Sequence, residues 1–230
     1  MLNKKIVLAN WKSNHSIDQL DSWIRAVART PISEKYHIIF APPFSLIAPA
    51  YTCIQSQQSY ISLSTQDISA YPQGAYTGEV CAENLKSLEV KYAMIGHSER
   101  RKYQHETALD IAKKLEQCIE NQLTPILCIE KKTINELANV IEKLPPKTII
   151  LYETPEYIGS GSTEPLEQIQ EVVSRIRSTF DRFHSTISIL YGGSVGMNTP
   201  ATFFLNQDYL DGVVLGTASL HEDEFIASLQ

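Results

Sequence analysis

The chain has 230 residues, of which 43% are hydrophobic, and its formal net charge is −6. This length allows one large domain or two small ones, and the composition can fill a sizeable core. The acidic balance, with no Lys/Arg-rich run, argues against a nucleic-acid partner, and no apolar run approaches the roughly 18 residues of a membrane span. The four cysteines form no CxxC pair, which predicts reduced thiols in a cytoplasmic protein. The six histidines show no metal-ligand spacing, so we expect no metal.

Short apolar runs recur along the whole chain and predict strands. They are Lys5 to Ala9, His37 to Ala41, Tyr60 to Leu63, Tyr92 to Ile95, Pro125 to Ile129, Thr148 to Tyr152, Ile187 to Tyr191 and Gly212 to Leu215.

Longer stretches with helical periodicity separate these runs. They are Ser16 to Ala28, Ala108 to Asn121, Thr133 to Leu144, Pro165 to Arg182 and Pro200 to Asn206. Cap signals agree with three of these starts: Ser16, Thr133 with Glu136 at capping-box spacing, and Ser162 or Thr163 before the long helix.

Strand and helix alternate about eight times without a composition break, which predicts a parallel sheet covered by helices. The spacing favours an α/β fold of the closed (β/α)8 type, a TIM barrel, as a single domain over residues 1–230. An open doubly wound sheet is the alternative.

In such a barrel the active site forms where the strands end, so polar residues after the apolar runs are the candidates. Lys12 follows the first run and can hold an anion, although a surface lysine fits the same pattern. His97 follows the fourth run, with Ser98 as a suitable N-cap. The helix dipole would disfavour a protonated His97 and keep it neutral, but a structural histidine is the competing interpretation. Glu153 ends the sixth run before a loop with proline and glycine, which suits either a catalytic base under a lid or an ordinary loop.

Two further loops are informative. The segment from Ser64 to Glu79 is long and predicts either a subunit contact or a mobile surface loop. Glycine-rich turns follow the seventh and eighth runs, at Gly192-Gly193-Ser194 and Gly216-Thr217, and Gly159 follows the sixth. Glycines let backbone amides approach phosphate oxygens, so these turns predict a phosphorylated ligand.

Several motifs, in order and at these strand ends, resemble the triosephosphate isomerase family from Lys5 to Ser219. They are Ala9-Asn10-Trp11-Lys12, Gln66-Asp67, Gly74 to Val80, Ile95-Gly96-His97-Ser98-Glu99-Arg100-Arg101, Tyr152-Glu153, Ile158 to Gly161, Tyr191 to Val195, and Leu215-Gly216 with Ala218-Ser219-Leu220.

The resemblance implies an isomerase of glycolysis and gluconeogenesis that interconverts dihydroxyacetone phosphate and glyceraldehyde 3-phosphate without a cofactor. It implies Glu153 as the base, neutral His97 as the hydrogen-bond donor to the substrate oxygens, and Lys12 as the stabiliser of the enediolate and the phosphate. Asn10 would orient the substrate, and Glu99 and Ser98 would support these groups without touching it. Gly159, Ser194, Gly216 and Thr217 would contact the phosphate. The family also implies a homodimer through the Ser64 to Glu79 loop, with a tetramer possible.

The chain departs from the family pattern at four places. Thr154-Pro155-Glu156 begins the lid, Ser162 replaces a common lysine, and Thr217 replaces a second glycine at the phosphate turn. Ile129-Glu130-Lys131 stands where Gly-Glu is common, in a short segment up to Lys147. Two other functions remain open from the residues: a different phosphate-binding barrel enzyme, and a non-catalytic barrel that serves as a scaffold.

Overall fold

The strands pair in sequence order and close into one parallel barrel. A computed structural model of the chain describes residues 4–145, 147–157, 160–183, 186–196 and 198–230. The strands are β1 Lys5–Asn10, β2 Tyr36–Ala41, β3 Ser62–Thr65, β4 Tyr92–Ile95, β5 Thr124–Glu130, β6 Ile149–Glu153, β7 Ser188–Gly192 and β8 Gly212–Leu215. Pairing of β8 with β1, from Gly212 beside Ile6 to Leu215 beside Ala9, closes the sheet. The predicted barrel is therefore confirmed, and the open doubly wound alternative is wrong.

Within the described residues, nine α-helices surround the barrel. They are α1 Ile17–Arg29, α2 Ile47–Ser56, α3 Ala82–Leu85, α4 Ser98–Tyr103, α5 Ala108–Asn121, α6 Ile134–Val140, α7 Leu166–Phe180, α8 Ala201–Leu205 and α9 Glu222–Ala227. The periodicity predicts α1, α5, α6, α7 and α8, but it misses α2 and the short helices α3 and α9. The apolar residues of α2 are interrupted by Pro49. A proline in the first turn of a helix is tolerated because its missing N–H has no intrahelical partner there.

Local corrections concern caps and one strand. Ser16 does precede α1, and its N–H donates to Gln19 Oε1 at 3.0 Å. Thr133 forms no capping box with Glu136: its hydroxyl accepts the N–H of Glu130 at 3.0 Å instead. Helix α7 begins after Pro165, so the predicted caps Ser162 and Thr163 are wrong. Strand β3 runs two residues later than predicted because its polar end, Ser64 and Thr65, is buried at the barrel mouth.

The core has two layers. Inside the barrel lie Leu8, Ile39, Met94, Ile126, Cys128, Leu151, Leu190 and Val214, while a larger cluster fills the space between sheet and helices. Successive side chains along a strand point to opposite faces. Asn10, Glu130 and Glu153 each lie two residues beyond an inward residue of their strand, so all three are on the inward face at the carboxyl end of the barrel.

Candidate active site

Lys12 stands at the mouth in an unusual backbone conformation. It follows β1 with φ of 52°, in the left-handed region that few lysines adopt. Two side chains hold it there: Lys12 N–H donates to Asn10 Oδ1 at 3.0 Å, and Gln66 Nε2 donates to the Lys12 carbonyl at 2.8 Å. The ammonium lies 2.5 Å from Glu99 Oε1. Glu99 thus supports Lys12, and Gln66 has a positioning contact that the sequence motif did not explain.

His97 has its ring orientation fixed at both nitrogens. It is the N-cap of α4, so the prediction of Ser98 as N-cap is wrong. Nδ1 accepts the backbone N–H of Glu99 at 3.2 Å, and Nε2 lies 2.9 Å from Glu153 Oε1. An accepting Nδ1 places the ring proton on Nε2, where the neutral imidazole donates to a carboxylate or to a substrate oxygen.

Glu153 ends β6 and is 2% exposed. Its Oε2 accepts the Ser98 N–H at 2.9 Å, and its Oε1 accepts the Ser98 hydroxyl at 3.1 Å. Burial disfavours the ionised form of Glu153. The bonds from His97 and Ser98, with the Arg101 guanidinium 3.9 Å away, outweigh burial and hold the pKa of Glu153 below its usual value. In this resting position the carboxylate is ionised and both of its oxygens are engaged.

A cavity of about 370 Å³ opens between these side chains and the glycine turns after β7 and β8. Its lining includes Asn10, Lys12, His97, Glu153, Ser194, Gly216 and Thr217, so the structure brings together all of these candidates from distant segments. A Cβ at Gly216 would lie 3.8 Å from Lys12 Cε, and the turn therefore approaches the ammonium closely. Thr217 is exposed at the start of a 3-10 turn. Gly159 and Ile158 lie outside the described residues.

Residues 154–157 and 160–164, which the sequence predicts to belong to a lid (the lid segment), are held to the barrel by two tyrosines. Tyr191 Oη accepts the Glu164 N–H at 3.3 Å and lies 3.3 Å from Thr154 Oγ1, so it contacts both ends of the segment. Tyr152 donates to Glu164 Oε2 at 2.8 Å. Gly193, which the sequence suggested as a phosphate turn, leaves room for the Tyr191 hydroxyl: a Cβ there would lie 2.1 Å from Oη. The sequence analysis names Tyr191 only as part of a motif and misses its contact with Glu164, because no local motif marks contacts between residues 27 apart.

The described part of the chain contains no group of three or more His, Cys, Asp and Glu that could hold a metal ion. None of its helices is both long enough and apolar enough to cross a membrane. A closed parallel barrel whose mouth gathers a carboxylate, an imidazole and an amine around one cavity belongs to the class of (β/α)8 enzymes that catalyse proton transfer.

Comparison with known proteins specifies that class. The sequence model of the family described as triosephosphate isomerase matches residues 5–230. The chain is 35% identical to the triosephosphate isomerase of Mesomycoplasma hyorhinis, over 99% of this chain and 98% of that protein. It is 31% identical to the enzyme of Polynucleobacter asymbioticus, over 98% of each chain, and 31% identical to that of Thermus thermophilus, over 100% of this chain and 99% of that protein. The chain belongs to the triosephosphate isomerase family.

Proposed function

We propose that the chain interconverts dihydroxyacetone phosphate and D-glyceraldehyde 3-phosphate through an enediolate, with Glu153 as the base. The observation that carries this proposal is the convergence of Glu153, His97 and Lys12 on one cavity. Removing a proton next to a carbonyl needs a base and an electrophile at the developing oxyanion, and these three side chains supply both.

The residues have separate tasks in this reaction. Glu153 removes a proton from the carbon next to the carbonyl and returns one to the neighbouring carbon. His97 donates from Nε2 to the substrate oxygens, and Lys12 stabilises the negative charge that develops on them. Asn10 Oδ1 is engaged by the Lys12 amide, so we assign the NH2 group of Asn10 to orienting the substrate.

The phosphate would bind at the glycine turns. Ser194, Gly216 and Thr217 line the cavity there, and Gly159 of the lid segment is assigned from the family resemblance. Backbone amides and the nearby ammonium of Lys12 suit a dianion. Binding energy from this non-reacting group can close the lid segment and exclude water from the enediolate.

The resting contacts of Glu153 imply a movement during catalysis. Its oxygens are held by Ser98 and His97, and hydrogen bonds to the ionised form weaken a base. When the Glu153 carboxylate moves from Ser98 to the substrate carbon, it loses those hydrogen bonds in a site from which water is excluded. The carboxylate therefore becomes a stronger base. The chemistry therefore couples substrate binding to activation of the base.

The test is Glu153→Gln, with turnover measured in a coupled assay on both triose phosphates. We expect kcat to fall about 10²–10⁴-fold while phosphoglycolate still binds. Glu171→Gln is the matched control, because Glu171 is exposed on α7 and lies outside the lid segment. Near-normal turnover of Glu153→Gln would end the assignment. Phosphoglycolate binding by the wild-type chain without turnover would favour the scaffold alternative.

We also propose a homodimer. Residues 71–79 are exposed throughout, and within them Tyr71 and Tyr76 stack with ring centroids 4.6 Å apart although each is more than 40% exposed. Apolar rings on a protruding loop are typical of a surface that a partner covers. Sedimentation of the wild-type chain should give a dimer at micromolar concentration, and Tyr76→Glu should shift it toward monomer. A wild-type chain that sediments only as monomer would contradict this, and a tetramer would extend it.

The remaining assignments are the single domain over residues 1–230, a cytoplasmic location and the absence of nucleic-acid, membrane and cofactor partners. One continuous barrel over β1 to β8 supports the first. The four free, buried cysteines support the cytoplasmic location, and the net charge of −6 supports the absence of a nucleic-acid partner. Fractionation of the cells that express the protein tests its location.

A further inference from the structure

Glu130 is a buried carboxylate beside the proposed base. It ends β5 directly opposite Glu153 in the register of β5 and β6, and both residues are on the inward face. Its side chain is 8% exposed. A second carboxylate this close to a base needs an explanation, because two buried like charges disfavour each other's ionised forms.

Arg101 lies between the two carboxylates but is bound to only one of them. Its Nη2 donates to Glu130 Oε1 at 2.9 Å, and its Nη1 donates to the Cys128 carbonyl at 3.1 Å. Both acceptors belong to β5, so the guanidinium is held on that strand in a fixed orientation. The same Nη2 is 3.9 Å from Glu153 Oε2, which is too long for a hydrogen bond.

We propose that Glu130 is a positioning residue for the base: it retains the Arg101 guanidinium on β5 and so leaves Glu153 free to exchange Ser98 for substrate. This inference rests on the proposed role of Glu153. Without Glu130, the carboxylate left beside the largely buried Arg101 guanidinium is that of Glu153, 3.9 Å away. A direct ion pair there would hold the base in its resting position and stabilise its ionised form.

Other charged and polar groups also face Glu153, and each of them contributes to its ionisation. Those that approach it from the neighbouring elements are His97, Ser98 and Arg101 after β4, and Cys128 and Glu130 on β5. Lys12 lines the same cavity and forms an ion pair with Glu99. Glu156 and Glu164 lie beside the start of the lid segment. Of these groups, only Glu130 itself changes chemically when it is replaced with glutamine.

The experiment compares Glu130→Gln with wild type in the pH dependence of kcat and kcat/KM. We expect kcat to fall about three- to tenfold with KM nearly unchanged, since no substrate-binding group is altered. We expect the acid limb of kcat/KM to move downward by about one pH unit, because the positive charge of Arg101 then acts on Glu153 alone. Loss of folded protein alone would lower kcat without moving that limb.

Two further variants make the assignment specific. Lys132→Met is the matched control: Lys132 contacts the other oxygen of Glu130 at 2.7 Å but is 76% exposed, so the profile should stay that of wild type. Arg101→Gln should move the acid limb upward, and in that background Glu130→Gln should shift it much less than in wild type. An equal shift in both backgrounds would mean that Glu130 acts directly on Glu153 and not through Arg101, which overturns the proposal.

A direct titration separates this inference from the proposed function. The carboxyl ¹³C resonance of Glu153, assigned with Glu153→Gln, gives its pKa without any turnover. A lower pKa in Glu130→Gln that largely disappears when Arg101 is also replaced with glutamine supports the positioning role, even if the wild-type chain shows no isomerase activity. An unchanged pKa and an unchanged pH profile overturn the role of Glu130 while the isomerase assignment stands.

Discussion

Gly193→Ala tests how the barrel holds the lid segment. An alanine Cβ would lie 2.1 Å from Tyr191 Oη and 2.8 Å from Thr154 Oγ1, far inside van der Waals contact. The Tyr191 ring is fully buried and packs on Phe204 with centroids 4.7 Å apart, so it cannot move aside without disturbing the core. The methyl group must therefore displace the hydroxyl that contacts both ends of the lid segment.

The expected loss of stability is the sum of the cost of overpacking and the loss of two hydroxyl contacts. Overpacking a buried site typically costs about 1–3 kcal/mol. Each of the two contacts of the Tyr191 hydroxyl, at 3.3 Å, adds about 0.5–1.5 kcal/mol at most. We expect Gly193→Ala to lower the free energy of unfolding by about 2–6 kcal/mol, measured by urea denaturation with tryptophan fluorescence. We expect kcat/KM to fall at least about tenfold, because the lid segment loses the contact that joins its ends.

A second substitution shows whether the clash is the cause. Tyr191→Phe removes the oxygen but keeps the ring, so Gly193→Ala should cost less in that background. The rescue should be partial, because the Cβ would still lie 2.5 Å from Tyr191 Cζ. If Gly193→Ala costs the same with phenylalanine at 191 as with tyrosine, the hydroxyl is not what the glycine accommodates, and the reasoning is refuted.

Two other predictions concern Lys12 and Glu153. Gln66→Leu keeps the side-chain volume but leaves the carbonyls of Lys12 and Ala41 without their side-chain donor. We expect the free energy of unfolding to fall by about 1–3 kcal/mol, and kcat/KM to fall with it. Unchanged values in urea unfolding and in steady-state kinetics would contradict this. The lowered pKa of Glu153 means that its ionised form stabilises the folded state above the usual carboxyl value of 4.5 and that this contribution is lost as the pH falls through the folded pKa. The stability difference between wild type and Glu153→Gln should therefore be largest near neutral pH and shrink below about pH 4.5, and a difference that grows on acidification would refute the sign.

The barrel was predictable because its strands are short, buried on both faces and rich in aliphatic residues. Strands β4 and β8 begin and end where the apolar runs do. Helix α2 was not predictable from the sequence, because Pro49 interrupts its helical pattern, and the packing of its apolar residues stabilises the helix instead. Burial in the tertiary structure can therefore override the low helix propensity of a residue such as proline.

The candidate site was predictable only in part, and for a related reason. Lys12, His97 and Glu153 follow strands whose ends meet at one mouth, so their position along the chain indicates their proximity. The contact between Arg101 and Glu130 joins residues 29 apart through the inward alternation of β5, which no local pattern displays. Gly193 lies in a glycine-rich turn of the kind that binds phosphate, but the Tyr191 hydroxyl also requires a residue without a Cβ at this position.

The left-handed backbone of Lys12 limits what can be changed at that position. A lysine at φ of 52° costs roughly 1–3 kcal/mol that glycine would not lose, and asparagine would lose less. A selection for heat resistance alone would therefore favour replacing Lys12, whose ammonium serves the cavity. Variants gained in that way should withstand higher temperatures and convert no substrate, so any search for a hardier form of this protein must screen for turnover in the same round.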